Sequence, residues 1–243
     1  MRSKRRNILK NVIETLLPEI CAICGENIKP RQFPSKLCGG CISELPFRGS
    51  SYAFMKLYDP GAIEKKDYLP LFITAYYDLN IRQMVNYLKF HRRKDFAISI
   101  GELMAISYAR EKRNYQDEYR DYLEIDYVIP IPLHKKRLKE RGYNQVELIA
   151  ENFSKETGIK LLNNALIREK YTIRQSETLD RNHRLENVKD AFSWNSDVSI
   201  KNKRVLLIDD VVASGQTMWQ AALVLRAEGA EVTLGAFGSN QKV

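Results

Sequence analysis

Residues 205–217, VLLIDDVVASGQT, constrain the fold more than any other stretch of this chain. Four apolar residues at 205–208 read as a buried strand, and two carboxylates, Asp209 and Asp210, follow at its carboxyl end. A turn of small residues then opens a helix predicted over about 217–228, stopped at Gly229 and followed by a strand over 231–237. This is a βαβ unit, which buries its strands in a parallel sheet and leaves the strand ends to hold ligands.

The upstream pattern extends the same grammar. A strand is predicted over 71–77, amphipathic helices over about 81–90 and 96–110, a strand over 127–131, a helix over 144–156 ended by Gly158, and a short strand near 165–168. The expected class is α/β, a parallel sheet flanked by helices, occupying residues 70–243. Residues 46–70, with Asp59, Pro60 and Gly61 as turn punctuation, read as a loop and domain boundary. The charged stretch 169–189 is too long for a simple connection, and loops of that length in compact domains tend to be functional or disordered.

All four cysteines fall within one short segment: Cys21, Cys24, Cys38 and Cys41, two C-x2-C turns separated by thirteen residues. Each turn aims two thiolates at one point, and two such turns supply the four-sulfur set of a closed structural zinc site. Residues 21–48 are therefore expected to form a small zinc ribbon or knuckle, with a pair of disulfides as the competing reading. A closed site leaves no open coordination position for chemistry at the metal.

Ahead of it, Ile8, Leu9, Val12, Ile13, Leu16 and Leu17 share one helical stripe within residues 1–20, read as a docking helix or, alternatively, a membrane-surface helix. No apolar run is long enough to cross a bilayer, and no cleavage pattern follows the basic start, so a soluble, cytoplasmic protein is expected. The net charge of +9 favours anionic partners, phosphorylated metabolites or nucleic acid, without choosing between them.

The chemistry of residues 209–217 narrows that choice. Two adjacent carboxylates can accept hydrogen bonds from neighbouring sugar hydroxyls. Backbone N–H groups over Ala213, Ser214, Gly215, Gln216 and Thr217 can cradle a phosphate at a helix N-terminus. Ser214 and Thr217 add hydroxyls, and Gly215 removes a Cβ from the approach. Neither a Walker A pattern nor a G-x-G-x-x-G fingerprint is present, so triphosphate hydrolysis and dinucleotide redox chemistry lack sequence support.

At these residues the chain resembles the type I phosphoribosyltransferases. Three further features make it similar to the ComF family over nearly its whole length. They are the four cysteines, the run PIPLHKKRLKERGYNQVELIA at 130–150, and the spaced set Thr172, Gln175, Leu179, Arg184, Asn187, Ala191 and Phe192. The resemblance implies binding of phosphoribosyl pyrophosphate with magnesium. Asp209 and Asp210 would act at the ribose, Lys135 and Arg137 at the pyrophosphate, and Arg174 on a loop at 172–184 that covers the substrate. It also implies a role in competence and DNA uptake, as a phosphoribosyltransferase of unknown acceptor. The alternatives are a non-catalytic single-stranded DNA-binding protein, or an adaptor to the competence machinery. Asn144 falls in the family's RG-aromatic-NQ signature and is equally placed to cap the next helix. Ala213 departs from the family, whose members often carry a hydroxyl residue there.

Overall fold

The computed structural model describes residues 20–28, 36–49, 54–59, 67–114, 120–170 and 191–239. The predicted helix at 8–17 and the covering loop at 172–184, including Arg174, lie outside the described residues. The chain divides into two compact units, Met1–Leu45 and Pro46–Val243.

In the first unit, the Cys21 N–H donates to the Glu26 carbonyl at 2.7 Å and the Gly25 N–H to the Cys21 carbonyl at 2.9 Å. This turn needs Gly25, whose φ is +79°, in the left-handed region where a side chain is strained. The second cysteine pair sits at helix α1 (Gly39–Ser43), with Cys38 as its N-cap. Among the described residues of this unit, the buried apolar side chains beside Cys21 are Ala22, Ile28, Leu37 and Leu45.

The second unit is built on strands β1 (Phe54–Tyr58), β2 (Tyr68–Tyr76), β3 (Tyr127–Pro130), β4 (Lys160–Leu161), β7 (Arg204–Val212) and β8 (Glu231–Ser239), in the order β1-β2-β8-β7-β3-β4. Only β1 is antiparallel to its neighbour, so the sheet is parallel from β2 to β4. A separate antiparallel pair joins β5 (Leu166–Arg168) to β6 (Phe192–Trp194). The helices are α2 (Leu79–Phe90), α3 (Asp95–Asn114), α4 (Lys135–Arg141), α5 (Gln145–Thr157) and α6 (Gln216–Ala227). No helix among the described residues is long and apolar enough to cross a membrane.

Alternation along β7 sorts its side chains between two layers. Val205 and Leu207 join the core that holds Met218, Trp219 and Leu225 of α6 together with Leu166 and Phe192 of the β5–β6 pair. On the opposite face α5 lies over β3 and β7 and packs against α3. Gly101 permits that approach: a Cβ there would stand 2.6 Å from the Asn152 Cβ and 2.7 Å from the Ile149 carbonyl oxygen.

The α/β class with a mostly parallel sheet is the one expected, and two local readings change. The stretch read as a loop contains β1, which forms the sheet edge beside β2, so this unit starts well before residue 70. Strand β7 continues past Ile208 through both acids to Val212, because Val211 and Val212 pair with Gly238 and Ser239 of β8. The run after β3 folds into α4, capped by His134, whose Nδ1 accepts the Lys136 N–H at 3.1 Å, and closed by Gly142 at φ +84°.

Candidate functional site

The four cysteine sulfurs lie within 4.8 Å of one another, and none is in a disulfide. Cys24 and Cys38 Sγ are 3.7 Å apart, close to the roughly 3.8 Å edge of a tetrahedron with Zn–S bonds of about 2.3 Å. Burial pushes the Cys21 thiol up, but the backbone N–H groups of Cys24, Cys38 and Ile23 outweigh it and bring it down to about 7. The Cys38 N–H reaches Cys21 Sγ at 3.3 Å. Cys24 and Cys41 are instead held above the usual thiol value, so it is the spacing of the sulfurs that fits one tetrahedral ion, and such an ion would have to displace their protons.

The second site lies where β7 meets α6. Asp209 and Asp210 are sequence neighbours in an extended strand, so they leave on opposite faces of the sheet. Asp210, only 3% exposed, lies on the α5 side: Lys89 Nζ of α2 is 2.7 Å from its Oδ1, and Gln145 Nε2 donates to Oδ2 at 2.8 Å. Asp209 is half-buried on the other side, and its Oδ1 accepts the Asp210 N–H at 2.8 Å. Burial, and then the charge of Asp210, raise the Asp209 carboxyl to about 7 against the pull of Lys89 and Arg168.

Arg168, at the end of β5, is 8% exposed and stands over the Phe192 ring at 5.3 Å. Burial and the charge of Arg137 hold its pKa below the usual arginine value, while Asp209 draws it upward. Arg168 thus lies within electrostatic reach of both Arg137 and Asp209. Lys135 is exposed in the first turn of α4.

Beyond the acids, Ala213 and Ser214 are exposed and Thr217 is half-buried, whereas Gly215 and Gln216 are buried. Gly215 is the N-cap of α6 with φ +78°, and this helix start has no side-chain cap. A Cβ on Gly215 would lie 2.6 Å from Leu57 Cδ1 of β1. The close approach that demands glycine here is therefore made by Leu57 as well as by the turn itself.

The RGYNQ segment ties this region together. Asn144 caps α5 by accepting the Val146 N–H at 3.1 Å and donates its amide to the Ile131 carbonyl at 3.1 Å. The Tyr143 hydroxyl donates to the Leu88 carbonyl of α2, and Arg141 donates to Gln145 Oε1. Sequence reading missed Lys89, Gln145 and Arg168 as members of the acid site. In the sequence Gln145 reads as part of the RG-aromatic-NQ signature and Arg168 as the end of a strand, and Lys89 belongs to a basic cluster, 89–94, that suits a nucleic acid.

No family model matches the chain. Curated relatives include Competence protein F of Haemophilus influenzae, 29% identical across 87% of this chain and 86% of that protein. DNA utilization protein YhgH of Escherichia coli K12 is 24% identical across 87% and 79%. Competence protein ComFC of Streptococcus pneumoniae is 34% identical across 47% and 48%. The resemblance to ComF proteins is thereby borne out. Solved structures that align with the chain include an adenine phosphoribosyltransferase from Leishmania tarentolae, 15% identical, with a TM-score of 0.38 across 77% of this chain and 83% of that one.

Proposed function

We propose that this chain, a ComF-type protein by its relatives, binds phosphoribosyl pyrophosphate or a closely related sugar phosphate at the junction of β7 and α6. We further propose that it acts as a phosphoribosyltransferase in the handling of incoming DNA. The observation that carries the reading is Asp209 on the central strand just ahead of the start of α6, with the buried cation Arg168 within its electrostatic reach and Arg137 within reach of Arg168. Asp209 offers hydroxyl-accepting oxygens, the opening turn of α6 presents backbone N–H groups to a phosphate, and Lys135 and Arg137 suit a pyrophosphate.

In such a transfer the bond between the anomeric carbon and the pyrophosphate oxygen breaks, a nucleophile bonds to that carbon, and pyrophosphate leaves with the electron pair. Magnesium, when bound with the pyrophosphate, would neutralise charge on the leaving group. The chain's own part is to orient the ribose through Asp209 and to hold the departing anion with Arg137 and Lys135. A set of hard carboxylate oxygens fits magnesium, although Asp210 is already engaged by Lys89. The four-thiolate cluster is proposed to hold a structural zinc ion.

Calorimetry with magnesium phosphoribosyl pyrophosphate tests the reading. Saturable binding is expected in the wild type, and magnesium-dependent release of pyrophosphate should vanish in the Asp209→Asn, Asp210→Asn double variant. A wild type that binds no sugar phosphate overturns it.

A second reading, single-stranded DNA binding with the sugar-phosphate site retained, is favoured by one observation. Two basic segments far apart in sequence share a surface: Arg141 of α4 lies over the Phe90 ring at 5.7 Å, and Lys94 over Tyr143 at 4.8 Å. Phe90 is 54% exposed, whereas Tyr87 is stacked on Phe96 and Tyr143 is buried, so Phe90 is the ring open to a base. Binding of an oligonucleotide should weaken steeply as salt rises if these cations meet phosphates. Absence of binding at low salt removes the reading.

A further inference from the structure

The two acids of β7 are not equivalent. Asp210 is held by both of its oxygens: Lys89 Nζ on Oδ1 at 2.7 Å and Gln145 Nε2 on Oδ2 at 2.8 Å, with its side chain 4% exposed. Gln145 is itself oriented, because its Oε1 accepts from Arg141. Lys89 comes from the last turn of α2 and Gln145 from the first residue of α5, so two helices grip one strand residue. The Asp210 N–H donates to Asp209 Oδ1 at 2.8 Å, and this hydrogen bond passes the grip to the neighbouring acid. Asp209 is the more exposed of the two and stands on the face that carries Arg168 and α6.

We propose that Lys89, Gln145 and Asp210 form a buried clamp that positions Asp209, and that Asp209 alone meets the hydroxyls of the sugar. This rests on the sugar-phosphate reading above and assigns its two acids different roles. Lys89 and Gln145 are positioning residues. They fix the peptide unit whose N–H orients Asp209, and Lys89 supplies the counter-charge that a buried carboxylate requires. The clamp acts on the sugar-holding group, so it governs ligands that carry a ribose and leaves inorganic pyrophosphate, held by other groups, untouched.

The test is calorimetry with phosphoribosyl pyrophosphate, ribose 5-phosphate and inorganic pyrophosphate on the full chain. Lys89→Met and Gln145→Leu should each weaken both ribose ligands about tenfold or more, the scale of a lost charge-assisted hydrogen bond. Pyrophosphate affinity should stay within about twofold, and Lys89→Arg, which keeps the charge, should recover most of the ribose affinity. Equal losses for pyrophosphate and ribose 5-phosphate would make Lys89 a phosphate ligand and overturn the proposal, as would unchanged ribose affinity in both variants. Thermal melting reads the clamp without any ligand. Lys89→Met should lower the melting temperature, and adding Asp210→Asn should restore most of the loss. If the two changes simply add, no clamp exists. If melting behaves as expected but the wild type binds no sugar phosphate, the functional reading has failed and the clamp has not.

Discussion

Stripping the proposed zinc ion from the four cysteines should unfold the segment that carries them. The described residues of the first unit bury few apolar side chains, and four unbridged thiols stand within 4.8 Å of one another. Burial by those described residues alone offsets little of the backbone entropy of ordering the segment, and ligation by the four sulfurs, as proposed, would supply the difference. Structural zinc in small peptides supplies roughly 10–16 kcal/mol at neutral pH, enough to dominate the folding of so short a segment. One zinc per chain is expected by elemental analysis, falling to near zero in Cys24→Ser or after chelation. Proteolytic cleavage between Cys21 and Cys41 should accelerate with the loss. A zinc-free preparation that resists cleavage as well as the loaded one would show that the sulfurs are not the keystone.

How much of this could be read beforehand depends on how far apart the interacting residues lie in the chain. The cysteine site was legible because its ligands sit at short, fixed spacings, and a pair of cysteines with two residues between them has few other uses. The unit β7–α6–β8 was legible because the apolar run, Gly229 and the helical stripe are all local signals. The cap at Asn144 was also visible, since an N-cap needs only its own next two residues. The clamp on Asp210 was not. Its partners Lys89 and Gln145 are 121 and 65 residues away, and nothing in a single sequence marks such a pairing. For the same reason β1 escaped notice: its place is fixed by cross-strand pairing with β2, and Pro46, Asp59, Pro60 and Gly61 around it give turn signals. The continuation of β7 was hidden by chemistry. Two charges look like the end of a buried strand until the fold supplies one of them with an internal counter-ion.

The same asymmetry between the acids sets a pH signature. Burial and the charge of Asp210 raise the Asp209 carboxyl to about 7, well above the roughly 3.9 expected of an unfolded aspartate. The folded state therefore binds the proton more tightly than the unfolded chain does. The stability this proton confers is fully present below pH of about 4 and is lost as pH rises through about 7. Above that, the native protein carries a strained carboxylate, at a cost on the order of 3 kcal/mol once partial solvent exposure is discounted. Asp209→Asn replaces that carboxylate with a neutral group whose oxygen can still accept the Asp210 N–H. Urea denaturation should give nearly equal stabilities for variant and wild type near pH 4, with the variant more stable by on the order of 3 kcal/mol near pH 8. A difference that stays flat across this range would mean Asp209 sits at ease in the fold. On the sugar-phosphate reading proposed above, a ligand rich in hydroxyl donors and flanked by cations should relieve the same cost. Stabilisation of the wild type by ribose 5-phosphate should accordingly be greater at pH 8 than at pH 5, and Asp209→Asn should show a smaller stabilisation that lacks this increase.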